Sequence, residues 1–130
     1  MEANELRLGN LCEYFIQDNV EKDYWVKNKI DIQDLELCLK EKEYFNKLYR
    51  PIPLTDEVLE KCGLKKSKGQ YAGAMWIKPK ESRIFNLYPH DSYYRYTNCK
   101  AIGATPEIYH LHQLQNLYFA LTGQELIVNL

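Results

Sequence analysis

The sequence predicts an α+β fold built as one domain over residues 1–130. Its parts are an N-terminal curled antiparallel sheet, a short capped helix, and a three-stranded antiparallel meander packed by a C-terminal amphipathic helix. Three observations predict it. Short alternating apolar segments separated by Pro and Gly turns read as strands. Thr55 and Gly63 bracket a single short helix. Near the C-terminus Leu111, Leu114, Leu117, Tyr118 and Leu121 fall on one helical stripe. With 130 residues and 45% hydrophobic composition, the chain is the size of one ordinary domain with enough apolar surface for a core.

Residues 6–16 begin with apolar/polar alternation interrupted at Gly9-Asn10, which reads as a strand with a bulge or tight bend. Gln17-Asp18-Asn19 is a polar turn, and residues 24–32, with Trp25, Val26, Ile30 and Ile32 among charges, form the second strand of a curled sheet. Residues 33–47 fit either period, since Leu35, Leu37 and Leu39 alternate while Leu35 and Leu39 also suit a helix. One or two short helical turns are preferred. Tyr49-Arg50-Pro51-Ile52-Pro53-Leu54 is an extended connector, because two prolines exclude a central strand. A helix follows over 56–62, with Thr55 as N-cap, Asp56-Glu57 at the positive end of its dipole, and Val58, Leu59 and Cys62 facing inward.

Leu64-Lys65-Lys66-Ser67-Lys68-Gly69 reads as a basic turn leading into the meander Gln70–Ile77, Arg83–Tyr88 and Tyr93–Lys100. Its links, Lys78–Ser82 and Pro89-His90-Asp91-Ser92, hold proline with small or polar residues, and Ala101–Ala104 ends the sheet. The last helix is expected from about 110 to 122, stopped at Gly123, with Gln113, Gln115, Asn116 and Thr122 on its polar face. An earlier start at Thr105-Pro106 and a strand ending at Ile108-Tyr109 both remain open. Glu125–Leu130 is a short apolar tail with the character of an added edge strand.

Charge is distributed unevenly. Residues 1–63 hold nine Lys and Arg against fourteen Asp and Glu, a balance of −5, whereas residues 64–100 hold eight against two, a balance of +6. Such a block either meets an anionic partner or docks on the acidic half of the same chain, and the internal reading is preferred. No apolar run approaches the roughly 18 residues a membrane span needs. Met1-Glu-Ala-Asn-Glu-Leu6 carries acids where a signal peptide has basic residues, so a soluble, cytoplasmic protein is expected. Cys12, Cys38, Cys62 and Cys99 are too far apart for a zinc knuckle and are expected as reduced, buried thiols.

Catalytic motifs are not evident: no Gly-x-Ser-x-Gly, no Gly-rich phosphate loop and no Cys/His pairing occurs, so no enzyme activity, cofactor or metal is expected. His90-Asp91 pairs a base with a carboxylate in a hairpin loop, but aspartate there usually forms the turn. His110 and His112 point about 200° apart on a helix, and no third ligand stands near them in sequence. The functional candidate is the basic aromatic block. Seven aromatics, Tyr71, Trp76, Phe85, Tyr88, Tyr93, Tyr94 and Tyr96, are interleaved with Lys and Arg, Arg83 and Arg95 among them, a pattern shared by partner-binding and nucleic-acid-binding sheets. Alternation sends Tyr94 and Tyr96 to one face and Tyr93 and Arg95 to the other. The helix must cover one face, leaving the other to bind. Cross-strand aromatic pairs also stabilise sheets with no ligand at all.

Three segments carry a family resemblance: Glu5-Leu-Arg-Leu-Gly-Asn10, Tyr49-Arg-Pro-Ile-Pro-Leu-Thr-Asp-Glu-Val-Leu-Glu-Lys-Cys-Gly63 and His112-Gln-Leu-Gln-Asn-Leu-Tyr-Phe-Ala-Leu-Thr-Gly-Gln-Glu-Leu126. In this order the chain resembles a family of small uncharacterised proteins carried by phages and mobile elements of Bacteroides-type bacteria. The resemblance implies an accessory role inside the cell and brings no catalytic residues. The expectation is a non-catalytic protein that acts by binding another protein through the sheet of residues 64–100, with a nucleic-acid-binding module as the alternative.

Overall fold

The structure, a computed structural model, describes residues 1–17, 23–68, 74–79, 85–97 and 106–130. Both helices and antiparallel sheets are present, as the α+β class requires. The chain divides into two compact units, one of Met1–Ile52 with His110–Asn116 and the other of Pro53–Tyr109 with Leu117–Leu130.

The first unit holds a three-stranded sheet. β1 (Leu11–Ile16) pairs with β2 (Tyr24–Lys29) in an antiparallel register running from Leu11 opposite Lys29 to Ile16 opposite Tyr24. Gly9-Asn10 is a turn ahead of β1 rather than a bulge inside it. Gly9 sits at φ +89°, its N–H reaches Ile30 O at 2.9 Å, and Asn10 Oδ1 accepts from Arg7 N at 2.7 Å. The second strand stops at Lys29, short of the expected Ile32, because Asp31 leaves the sheet to cap a helix. Asp31 and Asp34 form a reciprocal capping box at the start of α1 (Ile32–Lys40). α2 (Lys42–Leu48) follows directly, so the expected one or two turns are two helices of nine and seven residues.

The proline-bearing connector also carries more structure than expected. Tyr49–Pro51 is β3, an edge strand on β1 in the order β2-β1-β3, a position that tolerates a missing proline N–H. Arg50 pins it by reaching Glu13 at 2.7 Å and lying 4.1 Å over the Trp25 ring. Cys12, Ile30, Cys38, Phe45 and Tyr49 form this unit's core, with Phe45 stacked on Tyr49 at 4.2 Å. Tyr49 donates its hydroxyl to Asp34 at 2.6 Å, so the capping residue of α1 is tied to β3.

The second unit begins with α3 (Asp56–Lys61), placed as expected. Thr55 Oγ1 accepts from Val58 N at 3.2 Å, Leu59 and Cys62 are buried, and Gly63 ends the helix at φ +82°. Replacing Thr55 with Ala should cost about 1 kcal/mol, read as a lower urea midpoint at unchanged slope.

The meander is five-stranded rather than three-stranded. Its strands are β4 (Lys65–Lys68), β5 (Ala74–Ile77), β6 (Asn86–Pro89), β7 (Tyr94–Thr97) and β8 (Glu107–Ile108), antiparallel and in sequence order. The expected basic turn is β4 itself. As an edge strand it needs no apolar pattern, and Lys65 and Lys66 stand exposed on it. The expected turn near Pro89 falls at His90–Tyr93, where His90 N–H reaches Tyr93 O at 2.8 Å. Residues 69–73, 80–84 and 98–105, including Tyr71, Arg83 and Cys99, lie outside the described residues. Leu59, Cys62, Leu64, Trp76, Phe85, Leu87, Tyr94, Tyr96, Ile108, Tyr118 and Leu126 are the buried apolar residues of this unit.

The C-terminal helix α4 (Leu111–Thr122) starts one residue later than expected, after the strand alternative at Ile108. Its two halves belong to different units. In the second unit Tyr118 meets Phe85 edge-on at 5.3 Å, which is the expected packing on the meander. In the first unit the helix is buried on its polar side as well. Gln115 Oε1 accepts from Leu11 N at 2.8 Å, Asn116 Oδ1 accepts from Asn10 Nδ2 at 2.8 Å, and His112 is fully buried. The polar face expected at Gln115 is therefore internal, while Leu121, expected inside, is exposed. The tail is not an edge strand. Leu126 is buried, and Asn129 N reaches Lys61 O at 2.9 Å.

Candidate functional site

Alternation along the second sheet separates a core face from an outer face. On the core face Trp76, Leu87 and Tyr96 line up across β5, β6 and β7, and Pro89, Tyr94 and Ile108 across β6, β7 and β8. Trp76 is 2% exposed, and Tyr94 and Tyr96 are buried with it. Tyr94 donates its hydroxyl to Asp56 Oδ1 at 2.6 Å, and burial, followed by this bond, pushes its phenol well above the usual range. Three of the seven sequence-predicted site residues, Trp76, Tyr94 and Tyr96, thus belong to the core, where no partner can stack on them. Tyr71 and Arg83 lie outside the described residues. Tyr93 and Arg95 remain, on the opposite face as alternation requires.

Register brings companions to those two. Tyr88 on β6 stands opposite Arg95 on β7, which stands opposite Glu107 on β8, so the three side chains form a row across the outer face. One step of two residues along each chain adds His90, Tyr93 and Tyr109 beside the row. Tyr93 is the hub. The His90 ring lies flat on it at 4.7 Å, Tyr109 leans against it at 5.3 Å, and the Arg95 guanidinium lies 5.8 Å from its centroid. Polar contacts tie the same groups. Arg95 donates to Glu107 Oε1 at 2.8 Å and to Tyr93 Oη at 3.4 Å, and Tyr109 donates to Glu107 Oε2 at 2.8 Å. The bond to Glu107 lifts the Tyr109 phenol above its ordinary range, as the bond to Tyr93 lifts Arg95. Tyr88, His90 and Tyr109 are nonetheless exposed.

Tyr88 already stood among the aromatics of the basic block, whereas Glu107 and Tyr109 were legible only through strand pairing. His90, weighed there as a base beside Asp91, is instead a stacking partner of Tyr93. The charge of this face differs from the +6 of the block as a whole, because Glu107, outside that block, meets Arg95. Lys65 and Lys66 lie on β4, at the opposite edge of the sheet.

The described cysteines are not poised to react. Cys12, Cys38 and Cys62 are free and buried, and burial pushes the Cys12 and Cys62 thiols up to about 12, which leaves them protonated at neutral pH. Among the described residues no group of three or more His, Cys, Asp or Glu side chains is placed to hold a metal ion. Likewise, no helix among them is long and apolar enough to cross a membrane. In comparisons with known proteins, no family model, no curated protein and no solved structure matches this chain.

Proposed function

We propose that the chain is a non-catalytic accessory protein of a phage or mobile element, and that it works by binding another protein through the outer face of the second sheet. The observation that supports this reading is the cluster of exposed Tyr88, His90 and Tyr109 with half-buried Tyr93 and Arg95, gathered on and just beyond the ends of paired strands. Tyrosine and arginine are the residue types that protein contacts concentrate at their centres, because they offer large rigid area with a polar tip. The accessory role rests on the three resembling segments described above.

The same geometry weighs against the nucleic-acid alternative. A base needs a free ring face, yet Tyr93 has His90 stacked on one side and Tyr109 leaning on it. A phosphate needs an available cation, yet Arg95 is already paired with Glu107.

The test has two arms. Proteins from a host lysate retained by the wild-type chain should be lost to the Tyr93→Ala, Tyr109→Ala double variant. Once a retained protein is purified, its affinity should fall about thirtyfold, the equivalent of about 2 kcal/mol for a contact centre. Retention by a Lys65→Glu, Lys66→Glu control should be unchanged. Labelled DNA and RNA oligonucleotides should not bind even at about 50 mM salt, where phosphate contacts are strongest. Salt-dependent oligonucleotide binding, or partners indifferent to the tyrosine substitutions, would overturn the reading.

A further inference from the structure

His112, in the first turn of α4, is a fully buried titratable side chain that faces the carboxylate of Glu5. It is 0% exposed, and neither Nδ1 nor Nε2 has a hydrogen-bond partner among the described residues. A buried imidazole without partners is costly, and such a group asks for a reason. The segment against it is the N-terminal stretch Met1–Leu6, which contains a single 3-10 turn at Ala3–Glu5. Glu5 Oε2 stands 3.5 Å from His112 Nε2, and the Glu5 side chain is 41% exposed. Met1, Ala3 and Leu6 pack against the core of the unit, and Asn46 Nδ2 donates to Met1 O at 3.3 Å. Asn116 Nδ2 donates to Glu5 O at 2.6 Å, the Met1 ammonium reaches Asn46 Oδ1 at 2.7 Å, and Lys42 pairs with Glu2.

We propose that His112 and Glu5 form a proton-operated latch, in which neutral His112 keeps the segment Met1–Leu6 seated and protonation of His112 in mildly acid solution releases it. The charged groups around His112 set the direction. Burial disfavours the imidazolium most strongly. The parallel His110 ring at 5.7 Å and the Met1 ammonium oppose a further positive charge. Arg7 also stands on this side, bonding Asn116 Oδ1 at 3.2 Å. Glu5 pulls the other way, first by direct contact with the ring, an influence second only to burial, and then by its charge, but its half-exposed carboxylate is screened by water. The sum lowers the affinity of His112 for a proton while the segment is seated. With the segment released, the ring regains water and its ordinary pKa near 6.5.

The sign follows. The seated form binds fewer protons, so its advantage is complete above about pH 6.5 and declines as pH falls. The decline is up to about tenfold in the opening equilibrium for each pH unit, and it ends at the seated-form pKa.

Two measurements on the full chain test this. An NMR titration of the imidazole should place the His112 pKa below 6.5; a value at or above 6.5 would mean that Glu5 dominates and protonation tightens the latch, which overturns the proposal. Amide exchange, corrected for the intrinsic pH dependence, should show the Glu5 and Leu6 N–H groups opening several-fold more at pH 5.5 than at pH 6.5, with the Ile30 N–H just past the end of β2 unchanged. These amides bond Glu2 O, Ala3 O and Asn10 O in turn. The acid response should persist in His110→Gln and vanish in His112→Phe. Persistence in His112→Phe, or acid opening that includes Ile30, defeats the latch.

Discussion

Trp76→Ala should lower the stability of the chain by about 3–5 kcal/mol, because it removes the largest fully buried side chain and leaves a cavity between β5 and its neighbours. Trp76 is held between Lys66 on β4 and Leu87 on β6 in the strand register, and Tyr96 continues the same row. A domain of this size is stable by only about 5–15 kcal/mol, so the loss is a large part of the total. Urea unfolding followed by far-UV circular dichroism checks it. The result also separates two roles for the residue. A tryptophan presented to a ligand would be dispensable for folding, and its substitution would leave the urea midpoint in place.

Phe45→Ala should have a comparable effect in the first unit, again about 3–5 kcal/mol. Phe45 is fully buried, its ring stacked within 10° of parallel on Tyr49. Removing it takes away the surface that positions Tyr49, whose hydroxyl bonds Asp34 in the capping box of α1. The loss should therefore spread from α2 to α1 and β3. Chemical denaturation gives the magnitude, and amide exchange at Leu35, the first helical bond of α1, reports the spread. If only α2 amides loosened, the capping box would hold without its aromatic support.

Features that depend on neighbours in the chain were legible in the sequence. α3 is announced by Thr55 and ended by Gly63, and α4 by the spacing of its leucines, because capping and helical period are local physics. Features decided by pairing were not. Lys65–Lys68 reads as a turn by composition and becomes a strand only because β5 lies beside it. The row of Tyr88, Arg95 and Glu107 exists only in register, across strands separated by different lengths of sequence. Gln115 and His112 look like exposed polar residues in a helix. Their burial depends on Leu11 and Glu5, more than a hundred positions earlier, and no local pattern carries that information. The candidate site itself was half legible. Alternation set Tyr93 and Arg95 on one face and Tyr94 and Tyr96 on the other, but only the packed structure says which face is the core, and it takes Trp76, Tyr94 and Tyr96 into that core.

The lysine-bearing edge strand β4 has a consequence for the molecule in a crowded solution. An edge strand offers a row of hydrogen-bonding groups to any other extended chain, and two copies of the same edge are natural templates for one another. Here such a pairing would set Lys65 and Lys66 of one copy against the same residues of the next, with no carboxylate among their described neighbours to neutralise them. Repulsion of that kind grows as the edges approach and as backbone bonds would begin to form. The second sheet can thus end in β4, the edge among its described strands, without becoming a seed for fibrils.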